Sequence, residues 1–393
     1  MFKHILFTGC VFLFSWKGYS QTGFEEILQQ VEQNNTELLA LTTGLEGKRF
    51  ELLSGNNLPN PEAGFFYLPF GEHETGDYTE YQITQNFEFP TVYSSRKALI
   101  DQQVRQLELN YKLKRQEILL SAQSYALELV LLSKKMEVVQ KRVSQAKTIL
   151  DQMNQLFQSG ELGILDLNKA RVAWLQEQFL VQQLEIQQKN LVSKLVNLNG
   201  GKSIPEIPKE YPLLPQIGQA ELLWEEKLQS EPQLIAIEQL AQLAQHQLQV
   251  EKNKVLPNLS AGFNRQGVMG SYYSGVYGGF SIPLWGSRGK VKAAQYQVDF
   301  QSQNRVVQTD LFRVQFDREY RDYQILQEKF QEYRDTLTSL DTEELLLQAY
   351  QLGELSFIQY YQEVQFFRQA FDTYLDMQHQ LYQSHTSILK HQL

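Results

Sequence analysis

Residue types that carry covalent or metal chemistry are scarce in this sequence, and their spacing keeps them apart. Six histidines are spread over 393 residues. His379, His385 and His391 recur every six positions, which turns successive rings about 240° around a helix and keeps them off a common ion. They read as structural or exposed side chains. His385 falls on an apolar helical seam, where a polar ring acts as a register device. His73 stands beside Glu72, Glu74 and Asp77, which fits a weak cation contact or, better, a solvated loop. There is no nucleophile elbow, no phosphate-cradling glycine loop and no zinc-ligand spacing. These residues point away from an enzyme and call for no cofactor and no bound metal.

What the chain does carry is a duplication. Leu58-Pro59-Asn60-Pro61-Glu62-Ala63-Gly64-Phe65 returns as Leu256-Pro257-Asn258-Leu259-Ser260-Ala261-Gly262-Phe263. Phe87-Glu88-Phe89-Pro90 returns as Phe280-Ser281-Ile282-Pro283, and Gly160-Glu161-Leu162-Gly163-Ile164-Leu165 as Gly353-Glu354-Leu355-Ser356-Phe357-Ile358. The last two pairs lie 193 residues apart, too long a period for a solenoid unit. Two pseudo-equivalent halves result, each with the same mechanical task.

Residues 1–20 read as a cleaved signal peptide. Lys3 and His4 precede the apolar run from Ile5 to Trp16, and Gly18-Tyr19-Ser20 offers a cleavage site after Ser20. The run continues past Gly9-Cys10, which disfavours a lipid anchor there. Cleavage would remove the only cysteine, Cys10, together with Lys3 and Lys17. The exported chain would then carry 34 basic against 45 acidic residues, a balance that speaks against a nucleic-acid partner. No later stretch approaches the ~20 apolar residues of a membrane-spanning helix, so a membrane could be crossed only by strands.

Each half, 21–199 and 217–393, reads as helix, two strands, long helix and returning helix, with a Pro- and Gly-rich linker at 200–216. A continuous helix is expected over Phe24 to Ser54. Thr79, Tyr81, Ile83, Phe87 and Phe89 alternate with polar residues in the period-2 pattern of a half-wet strand. Strands are expected at about 61–70, 78–89, 258–267 and 273–284. Coiled-coil helices are expected at about 92–158, 164–199, 288–351 and 356–392. From Ala122 through Tyr125, Leu129, Leu132, Met136, Val139, Val143, Ala146, Leu150 and Met153 to Phe157, apolar positions alternate by threes and fours, a coiled-coil seam. Tyr272, Tyr273, Tyr277 and Trp285 read as belt aromatics of a membrane interface rather than strand packing. Four strands cannot close on themselves, because the smallest membrane barrels use about eight. An open edge in lipid leaves backbone groups unpaired, so the missing strands would come from other copies of the chain.

The duplicated halves, strand pairs, coiled-coil helices and two Gly-turn tips together resemble the TolC family of outer-membrane efflux channels over nearly all of residues 21–393. Within it, Leu58 to Glu62, Asn86 to Pro90 and Gly279 to Lys292 are similar to the outer-membrane components of heavy-metal exporters. The resemblance implies a mainly α fold with a small membrane β part. It implies a homotrimer whose twelve strands form one barrel in the outer-membrane lipid of a Gram-negative cell, with an α-helical barrel extending into the periplasm. It further implies a periplasmic adaptor docked at Gly160, Glu161, Leu162, Gly163, Gly353, Glu354, Leu355 and Ser356, and an inner-membrane pump of the RND type that supplies the energy. Asp166 and Tyr350 match two positions of a polar link that closes the periplasmic aperture, but the third, basic in some members, is Leu355. The acidic ring of some members falls on Gln359 and Gln362, with Glu363 displaced by one residue. The glycines also serve simply to permit the turns. The implied function is a passive exit duct, for heavy-metal ions or alternatively for drugs or peptides. A periplasmic coiled-coil scaffold that touches no membrane is the rival of another class.

Overall fold

The computed structural model describes residues 21–69, 76–204, 206–268, 270–286, 288–338 and 342–393. The signal-peptide expectation and the His73 loop fall outside them. Each half opens with a helix broken once. In the first half α1 (Gln21–Asn34) and α2 (Thr36–Ser54) replace the single helix expected over Phe24 to Ser54. The break is built by Asn35, whose side-chain oxygen accepts from Leu38 N at 3.0 Å and whose amide donates to the Leu198 carbonyl at 2.8 Å. An Asn at this position caps α2 and ties it to the far end of the same half. In the second half α5 (Ala220–Ser230) gives way to α6 (Pro232–Asn253). Pro232 holds Glu231 extended, at φ −70° and ψ 113°.

Between the halves' helices lies one antiparallel sheet of β1 (Glu62–Leu68), β2 (Tyr78–Phe87), β3 (Asn258–Val268) and β4 (Ser271–Ser281), in that order. The two hairpins are joined through β2 and β3, which pair from Tyr78 opposite Val268 to Phe87 opposite Leu259. The outer edges of β1 and β4 pair with no described strand of the chain. Period-2 alternation sorts the faces. Ala63, Ile83, Phe263 and Val276 form one row across the sheet on the apolar face. Gln82, Thr84, Asn264 and Tyr277 stand on the other.

This alternation corrects the reading of the belt aromatics. Tyr272 lies on the apolar face, but Tyr273 and Tyr277 lie on the polar one. The Tyr277 hydroxyl bonds Gln82 Nε2 at 2.6 Å and contacts Thr84 Oγ1. Its ring covers Gly262, where a Cβ would stand 2.5 Å from the ring. Two strand ends are also shorter than expected. Phe89 caps α3 instead of extending β2, and Ile282 and Leu284 lie beyond β4, around Pro283, which has no N–H to continue a ladder.

The long helices are α3 (Pro90–Gln158), α4 (Ile164–Leu198), α7 (Lys290–Thr338), α8 (Thr342–Gln351) and α9 (Phe357–Ile388), followed by a 3-10 turn at Lys390–Gln392. The 69 residues of α3 span about 104 Å. Within the single helix expected over 288–351, the described residues are helical from Lys290 to Thr338 and from Thr342 to Gln351. Leu129, Leu132, Val139, Leu150 and Met153 of the expected seam are buried, whereas Phe157 at its end is exposed. Ala126, Leu127 and Val130 are buried as well, because α3 is packed there by α1, α4 and α9 together. The linker folds back over this region. Tyr211 stacks on Tyr382 at 4.2 Å. Gly200, at φ +66°, faces the Asn34 carbonyl, where any Cβ would collide at 2.2 Å.

Two further seams are apolar but uncovered. Val172, Leu175, Phe179 and Ile186 on α4 follow steps of three, four and seven, and each is more than half exposed. Phe300, Val307, Leu311 and Val314 on α7 follow steps of seven, four and three and are equally exposed.

Candidate functional site: the paired hairpin tips

Both hairpins end in the same backbone device. At the first tip Gly160 N donates to the Phe157 carbonyl at 3.1 Å and Glu161 N to the Leu156 carbonyl at 2.9 Å. At the second, Gly353 N donates to Tyr350 O at 3.1 Å and Glu354 N to Ala349 O at 2.9 Å. These are Schellman closures, which need a left-handed residue after the helix. Gly160 at φ +82° and Gly353 at φ +76° provide it. The starts of the returning helices differ. Gly163 precedes α4 without a side-chain cap. Ser356 caps α9 in a full capping box, with Gln359 Oε1 accepting from Ser356 N at 3.0 Å.

The two tips lie side by side around an open cleft of about 960 Å³. Met153, Leu162, Leu355 and Phe357 line it, and Asp166, Tyr350, Gly353 and Ser356 also reach it. Glu161, Gly163 and Glu354 are exposed around the turns, as are the apolar Leu165 and Leu352, at 72 % and 74 %. Behind the cleft, Ile149, Leu150, Met153, Leu167, Phe357, Tyr360 and Val364 form a buried cluster that joins the two hairpins.

Asp166 sits in the first turn of α4, where the helix dipole favours an acid, and accepts from Lys169 at 3.3 Å. Tyr350 stacks on Tyr360 at 5.2 Å and meets Phe357 edge-on at 6.3 Å. Burial raises its phenol pKa, so the hydroxyl stays protonated at neutral pH. Asp166 and Tyr350 face one cleft, and no described hydrogen bond joins them within the chain. Gln359 is engaged in the capping box, while Gln362 and Glu363 are exposed on α9 beside the buried Val364.

The three C-terminal histidines face three different neighbours. His379 Nδ1 lies 3.5 Å from the Tyr211 hydroxyl. His385 Nε2 donates to the Pro215 carbonyl at 3.0 Å. His391 Nε2 lies 3.4 Å from Glu226. Burial, the first cause in each case, lowers the pKa of all three below 6.5. Among the described residues no group of three or more His, Cys, Asp or Glu side chains is placed to hold a metal ion. No described helix is long and apolar enough to cross a membrane.

Solved structures share this fold. CusC, whose transmembrane channel formation has been followed by crystallography, superposes with TM-score 0.74 at 13 % identity, covering 96 % of this chain and 95 % of its own. The Campylobacter jejuni CmeC outer-membrane channel gives 0.74 at 12 % identity, with 99 % and 93 % covered. This chain has the TolC fold. The outer-membrane protein VceC of Vibrio cholerae is similar too, with TM-score 0.72 at 14 % identity and 94 % and 97 % covered. No protein-family profile and no curated protein sequence matches the chain. The TolC-like likeness therefore lies in the backbone architecture.

Proposed function

We propose that this chain is an outer-membrane exit duct: a homotrimer that encloses a water-filled passage and performs no catalysis. The observation that carries this reading is the sheet, which has one apolar exposed face, one polar face and two edges that pair with no described strand. Three copies joined β4 to β1 would pair every edge and turn the apolar faces outward to lipid. The uncovered seams of α4 and α7 supply the matching contact surfaces between copies along the helical rod. The tip cleft, with its exposed turns and apolar lining, is suited to a helical hairpin of a periplasmic adaptor, which in turn would recruit an inner-membrane pump. Asp166 and Tyr350 are the side chains best placed to narrow the mouth, with Gln359, Gln362 and Glu363 beside them. Heavy-metal ions are the proposed cargo, supported by the strand-end blocks Leu58 to Glu62, Asn86 to Pro90 and Gly279 to Lys292. An exported chain with its first 20 residues removed fits this placement.

Purified chain added to planar bilayers should give trimer-sized particles and discrete ion conductance. Recovery from the periplasm without detergent, with no conductance, would favour a soluble coiled-coil scaffold and overturn the proposal. For the cargo, growth of a deletion strain on zinc, cobalt, cadmium, copper and a panel of antibiotics decides. Unchanged metal tolerance with new drug sensitivity would replace metal export by drug export.

A further inference from the structure

About 20 Å above the tips along the hairpins, a buried charge cluster ties all four helices of the rod together. Arg368 on α9 donates from Nη1 to Glu177 Oε1 on α4 at 2.9 Å, and from Nε to Glu343 Oε1 on α8 at 3.0 Å. Its Nη2 donates to Gln145 Oε1 on α3 at 3.1 Å. Arg142 on α3 donates through both terminal nitrogens to the Asp372 carboxylate on α9, at 3.1 and 3.0 Å, and to the Arg368 carbonyl at 3.3 Å. Arg142, Arg368 and Glu177 are only 5 %, 6 % and 6 % exposed.

Stability alone does not account for such a cluster. Desolvating two charges is costly, and apolar residues of similar volume are often at least as stable in their place. Glu177 shows that cost. Burial raises its carboxyl pKa above the usual range although Arg368 and Arg142 pull it down. What charges provide and an apolar core does not is direction. The tip-end cluster of Leu150, Met153, Leu167 and Val364 is held by contact that has no preferred angle. A planar guanidinium with fixed donor directions, bound at once to acceptors on α3, α4 and α8, sets the rotation and rise of α9 against each of them.

We propose that the Arg368–Glu177–Arg142–Asp372 network fixes the spacing of the two hairpin tips, which makes Arg368 a positioning residue for the cleft between them. The inference rests on the reading of that cleft as the docking end of a duct, and it names the element that keeps the docking surface in one geometry.

The test uses the full chain carrying Glu161→Cys and Glu354→Cys at the exposed tips, with Cys10→Ser, spin-labelled and diluted with unlabelled chains. Pulsed electron–electron resonance then reads the tip-to-tip distance within one subunit. In the Arg368→Met/Glu177→Leu variant the distribution should broaden and shift to longer distance, while circular dichroism and thermal unfolding stay at parental values. Arg368→Lys should fall between, because the three donors of an ammonium share one nitrogen and cannot reach acceptors spread around the three nitrogens of the guanidinium. If the double variant does not fold, Glu177→Gln, which keeps the shape and removes the charge, decides by the same readout. A distribution superimposable on the parental one in a folded variant overturns the proposal. Bilayer conductance of the parental chain is recorded separately, so loss of the duct reading and loss of the positioning role give different results.

Discussion

The sheet can be tested with a single charge placed on either side of it. β4 has eleven residues, about 37 Å of chain at 3.4 Å per residue. At a tilt of about 40° it would rise ~28 Å, close to the ~25 Å apolar band of an outer-membrane barrel. Val276 is the sixth of those residues, about 14 Å from either end, and is 86 % exposed in a row with Phe263 and Ile83. A lysine there meets lipid near the midplane, at a cost of about 2–4 kcal/mol per copy, or roughly 30- to 900-fold in the folded ratio. Its neighbour Gly275 belongs to the polar face, where an added Cβ meets nothing within 4 Å. Val276→Lys and Gly275→Lys therefore differ by one residue in sequence and by a whole solvent in expectation. Urea unfolding of both variants in lipid vesicles, followed by tryptophan fluorescence, reads the difference. In a water-exposed sheet a substitution at so open a position costs within about 0.5 kcal/mol. Equal midpoints for the two variants would refute the membrane assignment of this face.

Other expectations follow from single contacts. Gly353→Ala and Gly160→Ala meet open space but force a left-handed backbone, so each should cost about 1–2 kcal/mol by thermal unfolding. Leu311→Glu or Val314→Glu on the uncovered seam of α7 should reduce trimer in native mass spectrometry and leave the helical content of the chain unchanged. Gly262→Ala should displace the Tyr277 ring, break its bond to Gln82 and lower the unfolding midpoint, whereas Gly278→Ala, with no contact nearer than 3.8 Å, should not. The pH dependence has a definite sign. Burial lowers the pKa of His379, His385 and His391 below 6.5, so the unfolded chain binds protons first as pH falls. Stability is retained above 6.5 and declines below it; a midpoint that rises on acidification from pH 7 to 5.5 would contradict this.

Much of this architecture is legible in the sequence because it is periodic. The seam through Leu129, Val139 and Leu150 needs only a count of threes and fours, and the duplicated Gly-Glu-Leu blocks mark both turns. The breaks at Asn35 and Glu231 are harder to read. Pro232 signals one, but Asn35 signals the other only through a bond to Leu198, 163 residues away in sequence. The face of Tyr277 is not legible from its residue type, because a strand tyrosine suits a lipid belt and a polar lumen equally; only its register with Gly262 and its bond to Gln82 decide. The Arg368 cluster leaves no local signature. Arg368, Glu177 and Arg142 read individually as solvated charges on helices rich in such residues, and burial emerges only when four helices converge.

The two halves are duplicates in backbone and not in finish. Both tips close with the same hydrogen bonds at glycines 193 residues apart, yet only the second carries a capping box. Gly163 leaves the first returning helix with no side-chain cap, and its hairpin stands on the unbroken α3. Three such chains around an axis would therefore present six tips of alternating construction, one kind with a capping box and the other without. A partner that engages all six meets two different surfaces in alternation. Swapping the caps, with Gly163→Ser and Ser356→Gly in one chain, would exchange a local feature of the two tips while preserving the ion cluster. If the capping box governs tip stiffness, amide exchange should slow at residues 164–168 and quicken at 357–361. If Arg368 governs it, exchange at both tips should change little.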